Sequence, residues 1–348
     1  MIDWSECNDR IKDLSFPLNS DSHASYLDGV NAKFDCYKSL IKKLILNNNS
    51  LDDSLLKDIT DSCKRIIDSI NLYHQGKAGD AYSKLFDSKE NILEPNLCDY
   101  LDKNTYLFRM RISKETLDKN IDMFHIPFDK RSNVESQRYS IAGVPCIYLG
   151  SSNFLCWYEL NKPNFNNLYS SSFKTKRKLK FLDVSQDLSF IKKSSLTIDK
   201  ITTSLKFYPI IIACNFRTRT SNAKFNDEYI IPNLLLQKVL LDNSINGIKF
   251  MSVKYCNNQY REKLLNYVLP PKVVTNNNHC KELIGFFSVT HPASFPVLMY
   301  GPTTGGVVAY QSVEGHDAES ALLTIYDQTV FGKTDSITKD LPHFDMPT

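Results

Sequence analysis

Residues 137–160, with the sequence QRYSIAGVPCIYLGSSNFLCWYEL, constrain the fold more than any other stretch of the chain. Residues 144–149 form a short apolar run at a Gly-Val-Pro turn, which predicts a buried strand. Ser151 and Ser152 then offer a helix cap, and residues 154–160 predict the first turns of a helix. A strand that runs directly into a helix brings the strand end and one helix face toward the same cleft.

Three side chains of this stretch could form a site in that cleft. Arg138, Tyr148 and Glu159 supply a cation, an aromatic ring and a carboxylate. Such a set can hold a dinucleotide pyrophosphate, stack a flat base and stabilise positive charge that develops on a ribose. The same residues also fit a structural interpretation, in which Arg138 and Glu159 form an ordinary salt bridge and Tyr148 is a half-buried strand aromatic. The residues alone leave both interpretations open.

The order and spacing of these residues resemble the RES-domain family, which is named after its arginine, glutamate and serine and whose studied members are bacterial toxins that degrade NAD. The sequence LFRMR at residues 107–111 is similar to the opening strand of the family, with its arginine. The sequences EYIIP at residues 228–232 and NGIKFMS at residues 246–252 resemble the closing segments of longer members. The resemblance covers residues 104–255.

The resemblance implies an α+β fold of the ADP-ribosyltransferase type, in which two small β-sheets face each other across an NAD cleft with flanking helices. Glu159 would stabilise an oxocarbenium-like ribose, Tyr148 would stack against the nicotinamide or its ribose, and the arginines would clamp phosphate oxygens. The implied catalytic residues are Arg138, Tyr148 and Glu159, and the implied NAD-binding residues are Arg109, Tyr139 and Ser252.

The implied activity is cleavage of the nicotinamide–ribose bond of NAD by a glycohydrolase or phosphorylase that arrests growth as a toxin or phage-defence effector. NAD would be the substrate and not a bound cofactor, phosphate is a candidate acceptor, and an antitoxin or immunity protein is a candidate partner. Two alternatives remain open, namely an ADP-ribosyltransferase that modifies a protein or nucleic acid, and a non-catalytic regulatory or binding module. The oligomeric state is also open.

The amino-acid composition argues against several other classes of function. The formal charge of +3 comes from 42 basic and 39 acidic residues in 348, a balance that argues against nucleic-acid binding. No stretch approaches the roughly 20 apolar residues of a membrane span. The nine cysteines are dispersed without a CxxC pair or a Cys/His cluster, which predicts a cytoplasmic protein without a metal site. Cys146 and Cys156 lie in apolar runs and are interpreted as small buried hydrophobes and not as thiol nucleophiles.

The pattern along the chain predicts an N-terminal helical region at residues 1–103, a RES catalytic domain at 104–270 and a C-terminal extension at 271–348 that packs on it. Residues 1–22 are predicted to be a loose lead-in, and helices are predicted at 26–46, 51–73, 78–87 and 226–241. Strands are predicted at 178–184, 207–215 and 283–289, and a turn at 301–306. The N-terminal helices are at most HEPN-like, since Arg65 and His74 are farther apart than in the ribonuclease motif of that group, and a supporting or regulatory role is favoured.

Overall fold

The computed structural model of the chain describes residues 2–19, 23–86, 97–194, 196–220, 223–255, 258–274, 279–300 and 326–347. The chain divides into two compact units. Unit 1 consists of Met1–Asp99, Ser136–Ala142 and Lys180–Cys256, and unit 2 of Tyr100–Glu135, Gly143–Leu179 and Asn257–Thr348. Because the chain passes repeatedly between the units, the predicted boundaries at residues 103 and 270 do not coincide with theirs.

Helices and strands both contribute to the structure, which confirms the predicted α+β class. In chain order the helices are α1 Asn8–Asp13, α2 Tyr26–Asn47, α3 Asp53–His74, α4 Ala78–Phe86, α5 Asn153–Glu159, α6 Leu188–Lys193, α7 Ile198–Cys214, α8 Ile230–Leu241, α9 Lys281–Ile284, α10 Phe295–Tyr300 and α11 Val330–Asp340. The strands are β1 Cys98–Leu101, β2 Tyr106–Ile112, β3 Ile147–Gly150, β4 Leu168–Thr175, β5 Leu179–Asp183, β6 Gly247–Met251, β7 Leu265–Leu269, β8 Phe287–Thr290, β9 Ala293–Ser294 and β10 His343–Asp345. No helix of the described ranges is long and apolar enough to cross a membrane.

The long helices of unit 1 begin where the sequence predicts. The side chain of Ser25 accepts a hydrogen bond from the Asp28 backbone N–H and caps α2, and Asp52 caps α3 in the same way through Ser54. Such caps satisfy backbone donors that the first turn of a helix leaves without partners. The predicted helices at 26–46, 51–73 and 78–87 are therefore confirmed as α2, α3 and α4, apart from residue 87, which lies outside the described residues.

The prediction of a strand at residues 207–215 is wrong, because this apolar run forms the second half of α7. Residues 207–214 are all buried, and periodicity alone does not separate a helix buried on every side from a central strand. The carbonyl of Leu205 cannot receive a helical bond from Pro209, which has no N–H. The hydroxyl of Tyr37 on α2 donates to that carbonyl at 2.7 Å instead. The Tyr26 hydroxyl similarly donates to the carbonyl of Ala213 at 2.8 Å.

The prediction of a loose N-terminus is also wrong for residues 2–19. Trp4, Leu14, Phe16 and Leu18 are buried. Leu18 forms a short parallel bridge with Phe216, just after α7, in which the Leu18 N–H donates to the Asn215 carbonyl at 3.0 Å. Apolar side chains separated by polar residues in this segment thus add to the core of unit 1.

Unit 1 also contains a pair of parallel strands, in which Phe181 to Asp183 of β5 pair with Gly247 to Lys249 of β6. The ammonium of Lys249 lies 3.2 Å from the Asp183 carboxylate and 2.7 Å from that of Asp99. Asp183 is 4% exposed, so the ion pair compensates the cost of burying its charge. The predicted strand at 178–184 is confirmed as β5.

Unit 2 is built on an antiparallel sheet with the strand order β7, β3, β2, β4, β8 and β10, and β9 pairs with β4. Helices α5 and α11 cover one face, where the ring of Phe331 on α11 packs against those of Phe154 and Trp157 on α5 at 5.4 and 5.2 Å. The opposite face carries the short helix Asn120–Met123, to which Arg111 of β2 donates a hydrogen bond at the Asp122 carbonyl.

The predicted C-terminal extension contributes β8, β10 and α11 to unit 2. The predicted strand at 283–289 is partly correct. Its first residues belong to α9, which ends at Ile284, and only the segment from Phe287 is a strand. The predicted turn at 301–306 lies outside the described residues.

Candidate functional site

Helix α5 determines the position of Glu159. It follows β3 after a short connection, as predicted, and begins where the Ser152 hydroxyl accepts a hydrogen bond from the Leu155 N–H at 3.1 Å. The Ser152 hydroxyl also donates to the Lys263 carbonyl at 2.7 Å, which ties the start of the helix to the segment before β7. Glu159 is the last residue of α5.

The carboxylate of Glu159 accepts a hydrogen bond at Oε1 from the amide Nδ2 of Asn266 at 2.9 Å. Asn266 lies on β7 opposite Gly150, and Tyr148 lies opposite Val268 in the same antiparallel pair. Residues directly opposite each other share a face, and so do residues two apart on one strand. Tyr148 and Asn266 therefore lie on the same face of the β3–β7 pair, the face that carries Glu159.

Sequence reasoning did not identify Asn266 as a site residue. Its signal is an asparagine inside the apolar strand sequence LNYVL, where it is 7% exposed. A buried amide requires hydrogen-bond partners, so an asparagine at such a position indicates a specific polar contact.

Arg109 lies on the opposite face of the sheet. Phe108 on β2 pairs with Gly150 on β3, so Phe108 shares the face of Tyr148, and the next residue along the strand points to the other side. Contacts on both faces agree with this assignment. The thiol of Cys156 on α5 donates to the Phe108 carbonyl at 3.3 Å, whereas Arg111 donates to Asp122 on the other face. Unit 2 thus places Tyr148 and Glu159 on one face of the sheet and Arg109 on the other.

Arg138 belongs to unit 1 and is 8% exposed. Its guanidinium donates to the backbone carbonyls of Cys214 at 2.9 Å, Phe216 at 2.7 Å and Glu228 at 3.5 Å. It also lies over the ring of Tyr229, 5.2 Å from the ring centre. The last carbonyls of a helix have no helical partner and carry partial negative charge, so Arg138 stabilises the C-terminal end of α7.

Tyr139 and Ser252, also in unit 1, make local structural contacts. Tyr139 is 1% exposed, and its ring packs 4.6 Å from that of Phe250. The hydroxyl of Ser252, just after β6, accepts hydrogen bonds from the backbone N–H groups of Lys254 and Tyr255 at 3.2 and 3.3 Å. The NAD-binding roles predicted for both residues stay predictions.

Cys156 is half-buried and has the properties expected of a structural cysteine. Burial raises the pKa of its thiol to about 12, so it carries no thiolate at neutral pH. Since the thiolate is the nucleophilic form of cysteine, this agrees with its interpretation as a small hydrophobe.

The contact between Gly150 and Cys156 leads to a testable prediction. A Cβ atom at position 150 would lie 2.8 Å from the Cys156 sulfur and 3.3 Å from the Ser152 carbonyl oxygen. We expect Gly150→Ala to push α5 away from the sheet and to lower the free energy of unfolding in urea by about 1–3 kcal/mol. Adding Cys156→Ala should restore part of the loss, because it removes the sulfur that the methyl group meets. Additive effects of the two substitutions would contradict this steric account.

A buried carboxyl group anchors the N-terminal end of α5, opposite the end that carries Glu159. Asp335 on α11 accepts hydrogen bonds from the backbone N–H of Asn153 and from the Tyr326 hydroxyl, both at 2.8 Å. Burial raises the pKa of Asp335 from 3.8 to about 6, despite these hydrogen bonds. The C-terminal helix therefore holds the helix that carries Glu159.

The raised pKa of Asp335 predicts a pH-dependent stability. The folded carboxyl keeps its proton to a higher pH than the unfolded one, so the free energy of unfolding falls as pH rises from about 4 to about 6 and then levels off. The decrease from this group alone is about 3 kcal/mol. Asp335→Asn keeps an acceptor for Asn153 and cannot ionise, so it should remove this part of the pH dependence. Parallel urea unfolding curves from pH 4 to 7 check the difference, and identical profiles would contradict the assignment.

Comparison with known proteins finds a relative named "Putative toxin YopC" from Bacillus subtilis (strain 168). The two sequences are 34% identical over 285 residues, which cover 74% of this chain and 64% of the relative. The chain thus spans less than two thirds of the length of that relative. No family model matches the chain, and no solved structure matches it.

Proposed function

We propose that the chain is a toxin that consumes NAD by cleaving its nicotinamide–ribose bond. The similarity over 74% of the chain to a protein named as a toxin supports the toxin role. The observation that carries the proposed chemistry is the Glu159 carboxylate, which an amide on β7 holds at 2.9 Å over the face that also bears Tyr148. An oriented carboxylate on the same face as an aromatic ring suits a reaction in which a sugar becomes positively charged.

The chemistry requires little more than positioning and charge. The nicotinamide of NAD is a cationic leaving group, so its departure needs no strong acid. Glu159 would accept hydrogen bonds from ribose hydroxyls and oppose the positive charge that grows on the ribose. Tyr148 would stack against the nicotinamide or its ribose and exclude water from one side. The hydrogen bond from Asn266 would fix the direction of the carboxylate before the substrate binds.

The proposal includes a RES domain with the ADP-ribosyltransferase fold, a cytoplasmic location and an antitoxin or immunity protein as partner. Water or inorganic phosphate would accept the ADP-ribosyl group. The proposed reaction needs neither a metal nor a bound cofactor. Tyr148 and Glu159 carry the proposal because one unit holds both on the same face.

Purified protein and NAD provide the direct test. We expect NAD to disappear and nicotinamide to form, together with ADP-ribose in phosphate-free buffer or its 1″-phosphate where phosphate is the acceptor. Chromatography separates these products. Glu115→Gln is a matched control, because Glu115 is an exposed carboxylate of the same unit. Stable NAD in the presence of folded protein would contradict the proposal, and label from NAD on a protein or nucleic acid would replace it with a transferase activity.

A further inference from the structure

Two polar side chains face each other across β2 and β4, on the side of the sheet opposite Tyr148 and Glu159. Arg109 of β2 pairs directly with Ser171 of β4 in the antiparallel register. Residues in such pairs have Cβ atoms about 5 Å apart and project to the same side. Ser170, the neighbour of Ser171, points the other way, because its hydroxyl donates to Asn153 at the start of α5.

Both side chains have buried atoms that lack hydrogen-bond partners within the described part of the chain. The Nη1 atom of Arg109 and the Oγ atom of Ser171 are buried, and neither makes a hydrogen bond to another described residue. Buried polar groups in proteins nearly always have partners, and a charged group that lacks one is costly. Two such atoms on directly opposed residues could both donate to a single acceptor.

The charge of Arg109 favours an anion as the ligand of this pair. Burial and, after it, the nearby Arg111 lower the pKa of Arg109 to about 10, so its guanidinium still carries its charge at neutral pH. The groups that act on it electrostatically are Arg111 and the thiol of Cys156. Cys156, with its pKa raised to about 12, is neutral. No carboxylate among the described residues contributes to the pKa shift of Arg109.

His125 adds no negative charge and no free acceptor to this surface. Its ring Nε2 accepts a hydrogen bond from the Cys280 N–H at 2.9 Å, so its Nδ1 carries the proton that it shares with the Ile126 carbonyl at 2.7 Å. Burial lowers the pKa of His125 to about 4, and the charge of Arg109 acts in the same direction. His125 is thus a neutral residue whose two ring nitrogens are both engaged.

We propose that Arg109 and Ser171 form a binding site for a phosphate-type oxyanion, separate from the Tyr148–Glu159 face. A tetrahedral oxyanion offers several acceptor oxygens, so one ligand can accept hydrogen bonds from both Nη1 and Oγ. Its double negative charge would offset Arg109 and Arg111 together. Inorganic phosphate and a phosphate monoester share this chemistry. Binding at this site is independent of the proposed NAD cleavage.

The test measures binding of inorganic phosphate to the full chain at constant ionic strength, with chloride as the balancing anion. The Tm of the wild type should rise with phosphate concentration. Arg109→Gln should abolish the rise, and Ser171→Ala should raise the Kd for phosphate about tenfold, because it removes one hydrogen bond to a charged group. Glu115→Gln, which changes an exposed carboxylate of the same unit, should keep the full response. A parallel titration with ribose 5-phosphate distinguishes a phosphate monoester from inorganic phosphate, since the ligand that binds more tightly identifies the class that the site recognises.

Stability in phosphate-free buffer gives a second readout. Arg109→Gln and Ser171→Ala remove groups that lack partners, so their Tm should equal or exceed that of the wild type. A lower Tm in both would show that the two side chains already have internal partners, and it would overturn the proposal. An equal phosphate response in wild type and Arg109→Gln would overturn it too. Loss of the phosphate response in Glu115→Gln would show that the response does not come from Arg109 and Ser171, and it would also overturn the proposal.

Discussion

Replacing Glu159 with glutamine should lower the rate of NAD consumption by about 100-fold to 1,000-fold, the usual effect of removing one group that stabilises transition-state charge. Glutamine has nearly the same shape, and its Oε1 can still accept the hydrogen bond that Asn266 donates to Glu159 at 2.9 Å. The substitution thus removes the negative charge and preserves the contact. Initial rates of nicotinamide release under saturating NAD measure the effect, and an unchanged Tm shows that the fold is intact.

The variant Asn266→Ala tests the position of the Glu159 carboxylate separately from its charge. It keeps the Glu159 carboxylate but removes the amide that directs it, and a misplaced catalytic group costs up to about 100-fold in rate. We expect a loss smaller than that of Glu159→Gln. Glu115→Gln should retain the wild-type rate, because its side chain is exposed. Full activity in Glu159→Gln would show that this carboxylate is not part of the reaction.

The same variants test whether NAD loss causes the toxicity. If NAD loss causes growth arrest, expression of the wild type and of Glu115→Gln should arrest a bacterial host, whereas Glu159→Gln should not. Cellular NAD measured before growth stops gives the order of events. Growth arrest by Glu159→Gln at equal protein levels would mean that toxicity has another cause.

Elements whose signals lie within a few neighbouring residues could be predicted from the sequence. The connection from β3 to α5 follows from an apolar run and the Ser152 cap, both of which act locally. Helices α2 and α3 show the spacing of a helix with one buried face and have Ser25 and Asp52 at their caps. In these cases the residues that determine the structure are close neighbours in the sequence.

Features that depend on distant partners could not be predicted. The run at residues 207–214 is helical. The hydroxyl of Tyr26 binds its Ala213 carbonyl and that of Tyr37 binds the Leu205 carbonyl just before it, and both tyrosines lie more than 160 residues earlier in the chain. Asn266 and Glu159 are 107 residues apart, so nothing local relates the amide to the carboxylate. Side chains alternate between the two faces of the sheet along β2, so Arg109 and Phe108 point to opposite faces. Only the pairing of Phe108 with Gly150 shows which of them shares a face with Tyr148.

Arg138→Ala should lower the stability of unit 1 by about 3–6 kcal/mol, because two short hydrogen bonds from a charged group contribute roughly 1.5–3 kcal/mol each. The substitution leaves the carbonyls of Cys214 and Phe216, which the guanidinium binds at 2.9 and 2.7 Å, without this donor at the buried end of α7. The free energy of unfolding in urea measures the loss. Hydrogen exchange at the last amides of α7 should speed up in parallel, since the loss begins at that helix end.

Arg138→Lys distinguishes this structural role from the clamping of a substrate phosphate. A lysine keeps the charge but has a single ammonium in place of the planar fork that reaches two carbonyls, so it should lose an intermediate amount of stability. A phosphate clamp would respond differently, since lysine also binds phosphate and would preserve much of the affinity for NAD. If both variants unfold like the wild type and only Arg138→Ala loses NAD binding, the carbonyl contacts contribute little and Arg138 acts on the substrate. If stability falls in the order wild type, lysine, alanine, the role of Arg138 is structural, and its contacts with the backbone carbonyls hold the end of α7 in place.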